Sequence, residues 1–420
     1  MFKSLKGVTY RVPDLEKAKR WYAEILDTAP VFDSSLSVYF IIGENYLALV
    51  PAPKMANGRQ PPDTGEIPCW WVDDIEAAYQ HLLACGATLH TEIKLNHVLN
   101  ASTAAVIGPD GNIVGIAGKP PAPKNVSLDE QPSASAMNVA ICRALAAHEQ
   151  REDIRGHDFL AEIFLGEDAQ KSLEDPVAHA LILKRLAAFS PGGYEFFIAR
   201  TAYLDGVVEA ALRDNIPQIV FLGAGYDTRA YRFSNLIKDT RIFELDSKVT
   251  QQHKRSLLDR AHVLVPEQVS FLPIDFRREA IAVVLSKAGY APEKQTLFIW
   301  EGVTYYLPPE TVDATLGFIR RNSPAGSVVC FDYMIAASDM GERHGARQAR
   351  EAMKATYVGE PLQFDLEQAK IADFLDARGF AVVEHLTAKD MQTRYLTLRE
   401  GSPAGEILDL FGLVKAAVRS

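Results

Sequence analysis

Residues 221–232 read FLGAGYDTRAYR, and the apolar run QIVFL (218–222) leads into them. A strand that enters a glycine turn and is followed by alternating helices and strands sets the architecture of this part of the chain. The strand candidates are QIVFL, TRIFEL (240–245), QVSFLPI (268–274), TLFIW (296–300) and SVVCFDY (327–333), with helical stretches between them. Such runs, rich in β-branched and aromatic residues, suit a sheet buried on both faces. The alternation predicts a mostly parallel sheet with right-handed crossovers. Two later runs, FAVVEHL (380–386) and RYLTLR (394–399), have no full helix between them, so the seventh and last strand is expected to be antiparallel.

In open sheets of this type ligands sit beyond the carboxyl ends of the strands. Gly223, Ala224 and Gly225 stand there after the first strand, Glu244 and Asp246 after the second, Asp275 and Phe276 after the third, and Glu301 after the fourth. The phosphate-binding pattern G-x-x-x-x-G-K-[ST] is absent, and Thr228 occupies the place of the third glycine of a dinucleotide turn. Acids at several strand ends would repel a pyrophosphate. The turn therefore suits a cationic or neutral ligand that carries hydroxyls, as S-adenosylmethionine does. A carboxylate about twenty residues past the glycines matches its ribose diol, and the sulfonium and ammonium charges tolerate nearby acids. A nicotinamide enzyme is the competing reading of spacing alone.

The stretches ARTAYLDGVVEAAL (199–212), IVFLGAGYDTRAYR (219–232), FELD (243–246), PIDFR (273–277), IWEGVTYYL (299–307) and GEPLQFDLEQAKIADFLDARGFAVVE (359–384) follow one another in an order that resembles the leucine carboxyl methyltransferase family and its bacterial polyketide O-methyltransferase relatives. EDPVAHALI, from Glu174, resembles the family's early D-P motif. The resemblance covers about residues 137–400. It implies a class I, Rossmann-like methyltransferase fold with a helical cap over residues 137–215 and a core over 216–420. By position, Arg200 would grip the methionine carboxylate of the cofactor, which a guanidinium can do bidentately. Gly223, Ala224 and Gly225 would form the floor, and Asp246, or Glu244, would take the ribose; the family pattern favours Asp246, with a structural role for Glu244 as the alternative. Asp275 and Phe276 would contact adenine, and Glu301 would stand near the amino group. A carboxylate acceptor is ionised at neutral pH and needs no base, so the absence of an obvious catalytic histidine is expected. No catalytic side chain is assigned. Tyr305, Tyr306, Arg343, His344 and Arg347 are acceptor-site candidates, with Arg343, Arg347 and Arg350 on one helix face by their spacing.

The first 119 residues have a different character, and the Pro- and Ser-rich segment 120–136 reads as a linker. VPDLEKAKRWYAEIL from Val12 and VDDIEAAYQHLLACG from Val72 align Asp14 with Asp74, Leu15 with Ile75, Glu16 with Glu76 and Ala18 with Ala78. Each follows a β-rich run, begins a helix near an aspartate and precedes short strands: SVYFII and NYLALV in one half, TAAVIG and NIVGIA in the other, the last two turned by PDGN. This duplication resembles the vicinal oxygen chelate superfamily, to which glyoxalases, ring-cleaving dioxygenases and bleomycin-resistance proteins belong. It implies an α+β domain of paired βαβββ modules. Metal-dependent members carry His or Glu at positions that here are Gly7, Ile67 and Gly115, so no metal is expected. His81, His90 and His97 share no ligand spacing. A metal-free pocket, with Trp70 and Trp71 as lining candidates, or a docking surface is the expectation, and family analogy suggests a homodimer through this domain.

Bulk composition fits two or three domains of a soluble protein: 420 residues, 48% hydrophobic and 23% charged. A net charge of −10 without a basic patch argues against nucleic acid and anionic membranes as partners. No apolar segment suits secretion or membrane spanning, so a cytoplasmic location is expected. Cys69, Cys85, Cys142 and Cys330 have no C-x-x-C spacing and read as reduced residues. Three functions follow as expectations: O-methylation of a small-molecule acid, methylation of a phenol or alcohol hydroxyl, or ligand sequestration by the first domain beside an inert methyltransferase fold.

Overall fold

A computed structural model describes residues 2–26, 28–42, 45–51, 67–96, 101–108, 113–119, 131–166, 170, 173, 176–357 and 359–420. They form two compact units, Met1–Lys124 with Asp175–Ile182, and Asn125–Glu174 with Leu183–Ser420. Most of the expected linker, the D-P motif at Glu174, His97 and the PDGN turn lie outside the described residues.

In the first unit, β1 (Phe2–Val12), α1 (Leu15–Ile25), β2 (Phe32–Asp33), β3 (Val38–Ile42) and β4 (Asn45–Pro51) make one module. A second follows as β5 (Ile67–Val72), α2 (Ile75–Ala84), β6 (Thr88–Asn96), β7 (Ala101–Ile107) and β8 (Ile113–Gly118). The sheet order is β2-β3-β4-β1-β5-β8-β7-β6. Opening strands β1 and β5 pair antiparallel with Val8 opposite Pro68, and each pairs in parallel with the closing strand of its own module. Val8 and Pro68 have the same sequence offset as Val12 and Val72, so the repeat folds about a pseudo-twofold axis. Asp14 accepts from Lys17 N and Asp74 from Ala77 N, both at 2.9 Å, and each caps its helix. One core packs Val38, Phe40, Leu47 and Leu49 against α1, and another packs Val72, Ala104, Val106 and Ile116 against α2. Strands β2 and β6 are not anticipated by the sequence: one has two residues, and the other, TLHTEIKLN, is an edge strand without an apolar run.

The second unit begins with helix α3 (Ala134–Ala147), takes the part of α4 (Pro176–Phe189) from Leu183 onward, and continues with α5 (Gly193–Arg213). Its sheet has the strands β9 (Gln218–Leu222), β10 (Arg241–Asp246), β11 (Val269–Pro273), β12 (Thr296–Trp300), β13 (Val328–Met334), β14 (Phe380–Leu386) and β15 (Phe411–Val418), in the order β11-β10-β9-β12-β13-β15-β14. The pairings among β11, β10, β9, β12 and β13 are parallel, and β15 is antiparallel to both its neighbours. All five residues of β9 and of β12 are buried. This is the expected class I methyltransferase arrangement with an antiparallel seventh strand.

The identity of that strand corrects the sequence reading. RYLTLR is not a strand of the sheet: Arg394 and Tyr395 end a helix, Ala388–Tyr395, that Thr387 and Asp390 start with a capping box. The seventh strand is FGLVKAAV, whose glycine and alanines give it weak β propensity. The small residues are there because the neighbours are large. Gly412 lies opposite Tyr333, and a Cβ on it would come within 2.6 Å of the tyrosine ring. Tyr333 is itself fixed by a 2.9 Å hydrogen bond between its hydroxyl and His385 Nε2 on β14. Gly412→Ala is therefore expected to cost about 1–3 kcal/mol through overpacking, read as a lower urea midpoint at unchanged slope.

Candidate functional site

The carboxyl ends of β9 to β12 and the helices above them enclose a cavity of about 640 Å³. At its floor, Gly223 N and Ala224 N both donate to Leu245 O at 2.9 Å, which folds the turn back over β10. Gly223 (φ +73°) and Gly225 (φ +45°) have left-handed backbones. A Cβ on Gly223 would stand 2.4 Å from Val303 Cγ2, so a side chain is excluded by space as well as by conformation. Thr228, in the place of a third glycine, has its own role. Its hydroxyl donates to Asp158 at 2.7 Å and accepts from Arg232 Nε at 2.8 Å.

Asp246 lines the cavity. Its oxygens accept from Gly225 N at 2.6 Å and Ser247 N at 2.7 Å, so the carboxylate is welded to the glycine turn. Burial pushes its pKa up, against the pull of these two amides. Glu244, the second candidate for the ribose, is placed differently. It lies inside the strand and off the cavity lining, where it is bound by Lys254 Nζ at 2.7 Å and by the Tyr231 hydroxyl at 2.9 Å. A carboxylate buried within a strand has to be paired internally, which leaves nothing for a ligand.

Asp275 and Phe276 also line the cavity. Burial raises the Asp275 carboxyl, but the bonds from Arg277 outweigh it and hold the pKa below its ordinary value. One oxygen accepts from Arg277 N at 2.9 Å; the other is buried, accepts no hydrogen bond and has Arg278 Nε at 3.4 Å. Phe276 is packed on the hydrophobic core below.

Arg200, on α5, is fully buried, with Phe196 and Phe197 rings about 5 Å from its guanidinium carbon. Its Nη1 donates to Asp332 at 2.6 Å, and its Nε lies 3.0 Å from Glu301 Oε1. Nη2 is buried and has no hydrogen-bond partner in the protein. Glu301 also accepts from Arg229 Nη1 at 2.7 Å, and Arg229 is bound in turn by Asp227 at 2.6 Å and Asp205 at 2.7 Å. Arg232 and Arg143 extend the network through Asp205 and Asp158. These four arginines meet five acids, Asp158, Asp205, Asp227, Glu301 and Asp332, and the excess is acidic. Burial pushes Glu301 up, but Arg229 and then Arg200 prevail and bring its pKa down to about 2.

Arg200, Gly223, Ala224, Gly225, Asp246, Asp275, Phe276, Glu301, Tyr305 and Tyr306 thus line one cavity. Arg343, His344 and Arg347 do not line it, in contrast to the expectation. Arg343 precedes its helix, which starts at Ala346, and is held by Asp409 at 3.0 Å. His344 lies 3.2 Å from Glu406, Arg347 is exposed, and Arg350 binds Asp365 at 2.5 Å. Sequence reasoning missed Arg143, Asp158, Asp205, Asp227, Arg229 and Asp332. The available signal was a charge inside an apolar run, as in VVCFDYM, or within the glycine turn itself.

The cavity is also lined by the apolar residues Val139, Phe189, Phe197, Met353, Leu408 and Phe411, and no histidine is among the described lining residues. Burial raises the hydroxyls of Tyr194, Tyr305, Tyr306 and Tyr357, so they are neutral at physiological pH.

The first unit has a different centre. Tyr46, Gly7, Cys69 and Gly115 stand abreast on β4, β1, β5 and β8. A Cβ on Gly7 would come within 2.7 Å of the Tyr46 ring, so aromatic packing fills the position of a family ligand. Among the described residues no group of His, Cys, Asp or Glu is placed to hold a metal. Trp71 packs on the small cluster of Tyr46, Ala48, Cys69 and Ala117, and Trp70 is exposed.

Residues 136–320 match the leucine carboxyl methyltransferase family, and residues 4–116 match the glyoxalase/bleomycin resistance protein/dioxygenase superfamily. YktD of Bacillus subtilis, provisionally named an S-adenosyl-L-methionine-dependent methyltransferase, is 29% identical over 203 residues, 48% of this chain and 66% of its own length. A Streptomyces avermitilis protein with the same provisional name is 30% identical over 236 residues, 55% of this chain and 79% of its own. A solved DUF574 family protein from that organism covers 69% of this chain and 99% of its own at a TM-score of 0.47 and 12% identity. The chain belongs to the leucine carboxyl methyltransferase family of S-adenosylmethionine-dependent methyltransferases and carries a glyoxalase-type domain in front.

Because the folded pKa of Glu301 is depressed, its stabilising contribution is present above the unfolded value near 4.5 and is lost as pH falls toward about 2. The stability gap between the native protein and Glu301→Gln should be constant above about pH 5 and shrink by about 3 kcal/mol toward pH 2. Urea unfolding of both proteins across this range measures it; a gap that does not change with pH contradicts the assignment.

Proposed function

We propose that the protein is an S-adenosylmethionine-dependent O-methyltransferase that forms a methyl ester on the carboxylate of a small, largely apolar natural-product acid. The residues present fit the cofactor. Arg200 offers a buried N–H without a hydrogen-bond partner to a carboxylate, Asp246 offers acceptors to a ribose diol, and Asp275, next to Phe276, has an oxygen that accepts no hydrogen bond and is ion-paired to Arg278, which an exocyclic amine could reach. The acidic excess around Glu301 favours a ligand of net positive charge. Bound there, the cofactor supplies a methyl carbon activated by its sulfonium.

One observation carries the choice of acceptor: among the described lining residues beside Tyr306 and Tyr357 the carboxylate is that of Glu360, and it is taken up by the hydroxyls of Ser133 and Ser135. The tyrosines are held protonated, the carboxylate of Glu301 is too weakly basic at a pKa of about 2, and no histidine lines the described cavity. A carboxylate needs no base, so the residues have only to align it and exclude water. The apolar wall, with Tyr305 and Tyr306 as neutral donors, serves both purposes. The same reading treats residues 1–119 as a metal-free binding or docking domain through which the protein dimerises, 120–136 as a linker, and the cytoplasm as its location.

Calorimetry should show S-adenosylmethionine binding to the intact protein and a loss of about tenfold or more for Arg200→Ala. Supplied with methyl-labelled cofactor and a panel of apolar acids, the enzyme should yield a product that releases labelled methanol in mild alkali, at a rate nearly flat between about pH 6 and 9. An alkali-stable ether product, or a rate that climbs with pH, would replace the carboxylate by a hydroxyl acceptor. Absence of cofactor binding would remove the whole reading.

A further inference from the structure

Asp332 is a fully buried acid in the middle of β13 and is absent from the cavity lining. Its three acceptor contacts converge on the site from behind. Oδ2 accepts from Arg200 Nη1 at 2.6 Å, Oδ1 accepts from Gly302 N at 2.6 Å, and its backbone carbonyl accepts from the Thr304 hydroxyl at 2.6 Å. Gly302 directly follows Glu301, so a single carboxylate ties the arginine of α5 to the turn that carries the acid of β12. With Glu301 near Nε and Asp332 on Nη1, two sides of the Arg200 guanidinium are occupied. Nε and Nη2 both make no hydrogen bond in the protein, but Nε is ion-paired to Glu301, so Nη2, in the neighbourhood of the Tyr305 hydroxyl, is the nitrogen left for a ligand. Because the fork is planar and rigid, fixing two of its nitrogens fixes the direction of the third.

We propose that Asp332 is a positioning residue, which orients Arg200 so that its Nη2 meets the amino-acid end of the cofactor. The proposal rests on reading the cavity as the S-adenosylmethionine site. A buried acid opposite an arginine can also serve stability alone. The two roles differ in what they predict. An acid that only stabilises the fold affects every ligand of the cavity alike. One that acts through Arg200 affects only ligands with a carboxylate for Arg200 to hold.

Two probes separate them. S-adenosylhomocysteine carries the amino-acid end, and 5′-methylthioadenosine has the same nucleoside and thioether without it. Calorimetry on the full chain is expected to show Asp332→Asn weakening S-adenosylhomocysteine by about 10- to 100-fold while binding of methylthioadenosine is little changed. In an Arg200→Ala background, adding Asp332→Asn should cause no further loss for S-adenosylhomocysteine, because the group it acts through is gone. Equal weakening of both ligands, or full additivity with Arg200→Ala, overturns the proposal. If Asp332→Asn is unfolded by circular dichroism, Asp332→Glu keeps the charge but displaces it by a methylene, and the same two-ligand comparison decides. A native protein that binds neither ligand overturns the cofactor reading itself, an outcome distinct from native binding with unselective loss in the variant.

Discussion

Arg200 and Arg229 are buried completely, and a guanidinium without water has to be met by carboxylates and carbonyls or it unfolds the site. That requirement organises the second unit. Arg200 is on α5, Glu301 directly follows β12, Asp332 is within β13, and Asp227 and Arg229 belong to the glycine turn and the short helix after it. Apart from the local pair of Asp227 with Arg229, each pairing joins two different elements, so the network acts as a clamp on the strand ends where the cavity opens. Its hydrogen bonds are short, between 2.6 and 2.7 Å for the contacts of Arg229, as expected where both partners are charged.

The clamp also limits the chemistry available. An acid held by two arginines stays ionised and binds protons weakly, which serves charge complementarity and works against general-base catalysis. Burial acts on the tyrosines in the opposite sense and keeps them neutral. The buried charges and the neutral tyrosines are thus fixed in place, which suits positioning of a ligand. For the proposed carboxylate acceptor, in-line transfer from an activated carbon asks mainly for alignment.

The first unit shows how a duplicated fold can keep its architecture without the ligand set of its relatives. The helix caps Asp14 and Asp74 and the two apolar cores are what the βαβββ repeat needs. The face where relatives carry metal ligands is taken up by Tyr46 over Gly7 and by the small residues around Cys69. Substituting glycine for a ligand frees space that an aromatic ring then fills, since interiors do not leave voids of that size.

Much of this was legible in the chain itself. Periodicity announced both sheets, the spacing of Val12 and Val72 announced the duplication, and the glycines with the acids at successive strand ends announced the cavity, because strand ends and left-handed turns are local properties that residue type controls. Other features depended on packing. FGLVKAAV is a strand because Tyr333 leaves room only for Gly412, and RYLTLR is not one because a capping box extends a helix into it. Glu244 and Asp246 look equivalent in sequence, yet one reaches Lys254 and the other the Gly225 amide. The Arg343 cluster reads as a patch, but its ion pairs hold it to other parts of the chain. Sequence alone determined the fold class, the duplication and the place of the cavity. Which charges face that cavity and which neutralise one another was decided only in the tertiary structure, because a buried charge is settled by its partners in space.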